Sequence, residues 1–172
     1  VRIALLRRGA LDSFYARGFT TVKKTPARVF PRAGAEMTRM PKKISLVTPC
    51  FNEEAGIREC YDAVKAIFDR ELPGYEREHI FCDNASTDRT LEILREIAAQ
   101  DPSVKVIVNA RNFGVLRNTY NGVLASTGDA TVLFLPADLQ DPPALIPTFV
   151  EHWEKGYEIV FGIRARREEP LL

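Results

Sequence analysis

From Ile44 onward the chain alternates short apolar runs with longer segments of helical period. Ile44 to Thr48 reads as a buried strand, and the spacing of Ile57, Tyr61, Val64 and Phe68 predicts a helix from about Glu53 to Arg70. Pro73-Gly74 ends that helix. His79 to Cys82 is a second strand, followed by a helix over Thr87 to Gln100 with Leu91, Leu94, Ile97 and Ala98 on one face, closed by Asp101-Pro102. The pattern continues with a strand at Val104 to Val108, a helix at Phe113 to Ser126 and a strand at Ala130 to Leu135. A helix over Pro142 to Lys155, with proline suited to its first turn, and a fifth strand at Glu158 to Phe161 complete it. Such alternation predicts an α/β fold, a mostly parallel sheet with right-handed crossovers and helices on both faces.

The first 43 residues have no steady apolar period and differ in charge from the rest. They hold eleven Lys and Arg against Asp12 and Glu36, a balance of +9, which leaves −8 for the other 129 residues under a net charge of +1. Residues 1–42 are therefore expected to be a basic, disordered extension, with Met37 and Met40 as natural starts, and 43–172 the folded domain. Such an arm has the charge to contact nucleic acid or an anionic membrane. At 172 residues and 45% apolar, the chain can fill one substantial core. Cys50, Cys60 and Cys82 are odd in number, widely spaced and set among apolar residues, which suggests neither a disulfide framework nor a zinc site and fits a reducing compartment. No run approaches the roughly 20 apolar residues of a membrane span, and no secretory leader is evident, so a soluble polypeptide is expected.

Three polar clusters fall after the strands, on the edge where an open parallel sheet gathers its ligand chemistry. They are Pro49-Cys50-Phe51-Asn52-Glu53-Glu54, Asp83-Asn84-Ala85-Ser86-Thr87-Asp88 and Asp138-Leu139-Gln140-Asp141. Taken singly, Asn52 can cap the first helix, and Ser86, Thr87 or Asp88 the second. Asp83 sits at the strand end, where a carboxylate can accept the imide N–H of uracil or the N1–H and amino group of guanine. No glycine-rich phosphate loop follows the first strand, so a nucleotide diphosphate would be met by arginines and a metal. Asp138 and Gln140 carry the hard oxygen donors that Mg²⁺ or Mn²⁺ prefers. The bland alternative is that Asp141 caps the helix opening at Pro142-Pro143 and the other two are loop residues.

From Ile44 to Pro170 the chain resembles the family 2 glycosyltransferases of GT-A fold, and among them the polyisoprenyl-phosphate sugar transferases related to dolichol-phosphate mannose synthase. The motifs are Thr48-Pro49-Cys50-Phe51-Asn52-Glu53-Glu54, Asp83 to Asp88, Arg111-Asn112-Phe113-Gly114, Ala137-Asp138-Leu139-Gln140-Asp141-Pro142-Pro143 and Gly162-Ile163-Arg164, in the family's order. The resemblance implies a GT-A (Rossmann-like) sheet whose acceptor half lies largely beyond Leu172. It places Pro49, Asn52 and Glu53 along the nucleotide, Asp83 on the base with Ser86 and Asp88 supporting it, and Asp138 and Gln140 on the metal. Arg164 would meet an acceptor phosphate, with Arg111 and Arg166 as further candidates, since guanidinium pairs bidentately with phosphate oxygens.

The implied reaction moves a sugar from a nucleotide-diphosphate-sugar of UDP or GDP type to a polyisoprenyl phosphate at a membrane surface, on the cytoplasmic side and without nucleic acid. A phosphate acceptor is already anionic, so no catalytic base is assigned. The sequence departs from the family at Pro136, where an acid is common, and at Cys50 and Ala144. Two other readings stand beside it: a catalytically silent nucleotide-binding fragment, and a doubly wound interaction or nucleic-acid-binding domain that uses the basic arm.

Overall fold

The computed structural model describes the backbone of residues 2–7 and residues 41–133 and 137–163. They fall into two compact units, Pro41–Thr148 and a second that joins the strand near the N-terminus to the chain after Phe149.

In the first unit, strands β2 (Lys42–Cys50), β3 (Tyr75–Asp83), β4 (Val104–Val108) and β5 (Ala130–Val132) form one parallel sheet in the order β4-β3-β2-β5. The crossovers carry helices α1 (Ile57–Glu71), α2 (Thr90–Gln100) and α3 (Val115–Ala125). The strand period of two divides the side chains between faces. Phe81 and Cys50 pack with Ile57, Leu94, Ile97 and Val104 in the core under α1 and α2. Val47, Ile80 and Cys82 face the other way. There α3 comes so close that a Cβ on Gly122 would lie 2.5 Å from a Val47 methyl and 2.6 Å from Cys82 Sγ.

The parallel sheet with helices on both faces is the architecture the apolar pattern predicts; the differences lie at element ends. Helices α1 and α2 start at Ile57 and Thr90, because the residues before them are held in cross-loop hydrogen bonds. The fourth strand stops at Val132 within its predicted range, and the helix predicted from Pro142 opens as a 3₁₀ turn, Pro143–Leu145, before α4 (Ile146–Glu154).

In the second unit, β6 (Tyr157–Ile163) pairs antiparallel with β1 (Arg2–Arg7), from Arg2 opposite Ile163 to Arg7 opposite Tyr157. The fifth predicted strand therefore has a partner inside the segment expected to be disordered. A four-residue apolar run, Ile3 to Leu6, is too short to be distinguished by period alone. Residues 8–40 of that segment lie outside the described residues, and Lys42 at its end opens β2.

The amino edge of the parallel sheet is fastened by one buried carboxylate. Glu78 on β3 accepts hydrogen bonds from Ser45 Oγ on β2, Lys105 Nζ on β4, and the Thr127 amide at 2.8 Å and hydroxyl at 2.6 Å ahead of β5. Burial alone would raise its pKa, but the bonds from Lys105, Ser45 and Thr127 outweigh that and hold it at about 2.

Candidate functional site

Parallel register brings the first two polar clusters side by side: Cys50 is the Cα partner of Asp83, and Asp83 of Val108. Both loops leave the same edge, and hydrogen bonds lace them together. The Asn84 amide donates to Cys50 O at 2.9 Å and the Asn52 amide to Ser86 Oγ at 3.0 Å. Thr87 N–H donates to Asn52 Oδ1 (2.8 Å), Glu53 N–H to Thr90 Oγ1 (2.8 Å), Glu54 N–H to Asp88 Oδ2 (3.1 Å) and Arg89 N–H to Glu54 Oε2 (2.9 Å). The capping alternative thus fails for Asn52, whose oxygen serves the neighbouring loop. It holds in part for Asp88, whose Oδ1 accepts the Thr90 amide at the start of α2.

Backbone strain collects in the same loops. Among the described residues, the non-glycine positions with left-handed φ are Asn52 (57°), Ala85 (63°) and Leu139 (57°), one in each polar cluster. Left-handed backbone is unfavourable for Ala and Leu and persists where surrounding contacts enforce it, as at ligand-binding loops.

Asp83 lies at the centre with 0% exposure. Its Oδ2 accepts the Ser86 amide at 3.2 Å, while Oδ1 is buried without a hydrogen-bond partner. An unpaired buried carboxylate oxygen is costly, so this atom is suited to receive donors from a ligand. Beside it, a network of asparagine side chains joins β3 to β4 and α3. Asn84 Oδ1 accepts from Asn109 at 3.2 Å and from the Phe113 amide at 2.9 Å, and its Nδ2 donates to Asn112 at 2.8 Å. Asn109 also donates to Asn118, whose own amide donates to Cys82 O at 2.7 Å. The loop bearing Arg111 is thereby fixed to the Asp83 strand end; the Arg111 guanidinium stacks 4.8 Å over the Phe113 ring.

The third cluster reaches the first through Ala137, which is 2% exposed and packs with Cys50 and Ile57. Asp138 is exposed, with Oδ1 accepting the Gln140 amide at 3.1 Å. Its charge is felt across the loops: the Glu53 pKa is raised, first by burial and then by Asp138 and Asp88. Burial and then Asp138 also push the Cys60 thiol up to about 12. Negative charge from Asp138 and Asp88 thus bears on Glu53 within these loops. Among the described residues, no three His, Cys, Asp or Glu side chains converge to hold a metal by themselves. A hard cation would therefore take Asp138 and Gln140 oxygens and complete its shell with water and ligand oxygens, as Mg²⁺ and Mn²⁺ commonly do.

Of the sequence candidates, Asn52, Glu53, Asp83, Ser86 and Asp88 come together in the laced loops, Pro49 lies in β2 next to Cys50, and Asp138, Gln140 and Arg111 lie on loops at the same edge. Arg164, Arg166 and Pro136 lie outside the described residues. Glu54 and Asn84 stood in the polar clusters without a role of their own, and Thr90, Asn109 and Asn118 escaped sequence reasoning as site-builders. For Asn118 the available signal was an amide on a helix face that would ordinarily be apolar.

A parallel sheet that gathers polar loops at its carboxyl edge is the arrangement of an α/β ligand-binding domain. Residues 45–171 match the family described as Glycosyl transferase family 2, and the chain belongs to that family. It is 42% identical over 124 residues to the uncharacterized glycosyltransferase YkcC of Bacillus subtilis, covering 72% of this chain and 38% of that protein. It is 40% identical over 125 residues to the bactoprenol glucosyl transferase of Shigella phage SfX, covering 73% and 40%. The chain therefore spans about two fifths of the length of these relatives. The fold is that of the Pyrobaculum calidifontis mannosyltransferase PcManGT, with TM-score 0.54, 23% identity and coverage of 74% of this chain and 35% of that one. It is also that of Mycobacterium tuberculosis glucosyl-3-phosphoglycerate synthase, solved with Mn²⁺, UDP and phosphoglyceric acid, with TM-score 0.50, 27% identity and coverage of 74% and 46%.

Proposed function

We propose that this chain is the donor-binding part of a glycosyltransferase that moves a sugar from a UDP- or GDP-type nucleotide-sugar to a polyisoprenyl phosphate, with a divalent cation at the diphosphate. The observation that carries the reading is Asp83, fully buried at the strand end with one carboxylate oxygen unpaired. A ring N–H of the base is the donor such an oxygen suits. Asn52, Ser86 and Asp88 hold that carboxylate's loop rigid against the first one, so base and ribose meet a preformed surface. Pro49 and Glu53 line the same edge.

Asp138 and Gln140 fit a hard cation by donor type, and Glu53 beside them adds to the charge it would relieve. When bound, Mg²⁺ or Mn²⁺ supplies Lewis-acid stabilisation to the departing diphosphate. The chain's own residues position the nucleotide, keep Asp83 desolvated and bring Arg111 to the rim as an anion partner. Arg164 and Arg166 are proposed to meet the acceptor phosphate. An anionic phosphate attacks the anomeric carbon without surrendering a proton, so no side chain is assigned as base. Among the described residues no helix is long and apolar enough to cross a membrane, and a peripheral place at the cytoplasmic face is proposed. The similarity to a bactoprenol glucosyl transferase supports the lipid acceptor.

A second reading, a silent nucleotide-binding module, is favoured by Pro136 and by the sparse set of metal-ligating side chains among the described residues. Calorimetric titration of UDP-, GDP- and dTDP-sugars with and without Mn²⁺ tests both. Saturable binding of one donor is expected, weakened at least about tenfold by Asp83→Ala and made independent of Mn²⁺ by Asp138→Ala. No binding of any nucleotide refutes the site. Binding without sugar transfer to undecaprenyl phosphate selects the silent module.

A further inference from the structure

Helix α3 is inside out. Its buried residues are Asn118, Thr119 and Gly122, all small or polar, while its solvent side carries Leu116, Tyr120 and Leu124 at 70%, 62% and 67% exposure. An amphipathic helix in water shows the reverse. The inward half has its reason in the structure: Asn118 serves the amide network, and Gly122 permits close approach to Val47 and Cys82. The outward half has no such contact among the described residues. Phe113, Leu116, Tyr120 and Leu124, together with Arg117, line a shallow groove of about 540 Å³.

Charge indicates what covers this face. No Asp or Glu occurs from residue 102 to 128, and the charged residues in that stretch are Lys105, Arg111 and Arg117. This contrasts with the surplus of acid elsewhere after residue 43. Arg117 lines the groove, and Arg111 stacks on Phe113 at its edge. A second copy paired symmetrically across the helix would set Arg117 near its own equivalent with no nearby acid to offset it. Leucines, a tyrosine with a polar tip and flanking arginines are the composition of a helix lying in a lipid interface, with cations among anionic headgroups.

We infer that the outward face of α3 is a docking surface for an anionic phospholipid bilayer. Gly114 caps the amino end of this helix next to the loop of Arg111, so docking would set that loop at the headgroup level.

The test uses the full chain with vesicles of phosphatidylcholine alone and of phosphatidylcholine and phosphatidylglycerol in about equal parts, in the absence of nucleotide, so that its outcome is independent of sugar transfer. Flotation should show binding to the anionic vesicles only, reduced at least about tenfold in the Leu116→Glu/Leu124→Glu double variant. Both positions are exposed, and an unchanged urea midpoint verifies the fold. The parent chain has Trp153 alone, so a Tyr120→Trp variant reports on α3 through the emission it gains over the parent. That added emission should be blue-shifted on anionic vesicles and quenched by brominated phosphatidylcholine mixed into them. Failure to bind, equal binding to pure phosphatidylcholine, full retention in the double variant, or a bound Tyr120→Trp variant whose added emission escapes quenching would each overturn the proposal. The last of these would place the contact on the basic segment instead.

Discussion

Replacing Glu78 by Gln removes a charge and almost no volume, which makes it the sharpest probe of how the parallel sheet is held. Each carboxylate oxygen has a donor that cannot reverse: Lys105 Nζ at Oε1 and the Thr127 amide at Oε2. Ser45 and Thr127 hydroxyls can turn to accept, but a glutamine NH₂ must still face one fixed donor. It will face Lys105, which is 47% exposed and can swing into water, while the Thr127 amide cannot move. The folded pKa of about 2, against an ordinary 4.5, corresponds to about 3 kcal/mol. Since Lys105 is half in water, screening lowers the expected loss to about 2 kcal/mol at pH 7. A depressed carboxylate pKa stabilises fully above its unfolded value and loses that contribution as pH falls through the folded one. The gap between wild type and Glu78→Gln should thus be widest above pH 4.5 and close toward pH 2. Urea denaturation followed by circular dichroism between pH 7 and pH 2.5 reads it out. A gap below about 0.5 kcal/mol at pH 7, or one that does not change with pH, refutes the reasoning.

Gly122→Ala should destabilise by about 1–3 kcal/mol, because its Cβ meets the Val47 methyl and Cys82 Sγ, both buried; thermal unfolding at matched pH checks this. Cys50, Cys60 and Cys82 should resist iodoacetamide in the native state at pH 8 and react in urea. Burial raises all three thiols, Cys60 to about 12 and Cys82 to about 11; rapid native labelling counted by mass spectrometry would contradict that.

The apolar pattern carried the fold because its information is local. A strand buried on both faces must be a short, mainly apolar run, as Ile44 to Val47 and Ile80 to Cys82 are. A helix packed on one side must repeat its core residues, as Ile57, Val64 and Phe68 do. Parallel topology follows from that alternation, and with it the common edge on which Asn52, Asp83 and Asp138 emerge. Residue identity also marked them as acids and amides at strand ends, which is where ligand chemistry resides.

Tertiary structure decided what those residues are for locally. Asn52 could have capped its own helix; the parallel pairing of Cys50 with Asp83 turned it toward Thr87 instead. Asp83 was marked in the sequence by its place at a strand end; its complete burial with one unpaired oxygen appears only in the folded chain. The pairing of Tyr157–Ile163 with Arg2–Arg7 joins segments about 150 residues apart, beyond the reach of any local period. The inversion of α3 was equally hidden, since a helical period shows that a face exists but not which side meets the sheet. That side was fixed by close approach at Gly122 and by the hydrogen bonds of Asn118, and these exist only once β2, β3 and β4 have assembled.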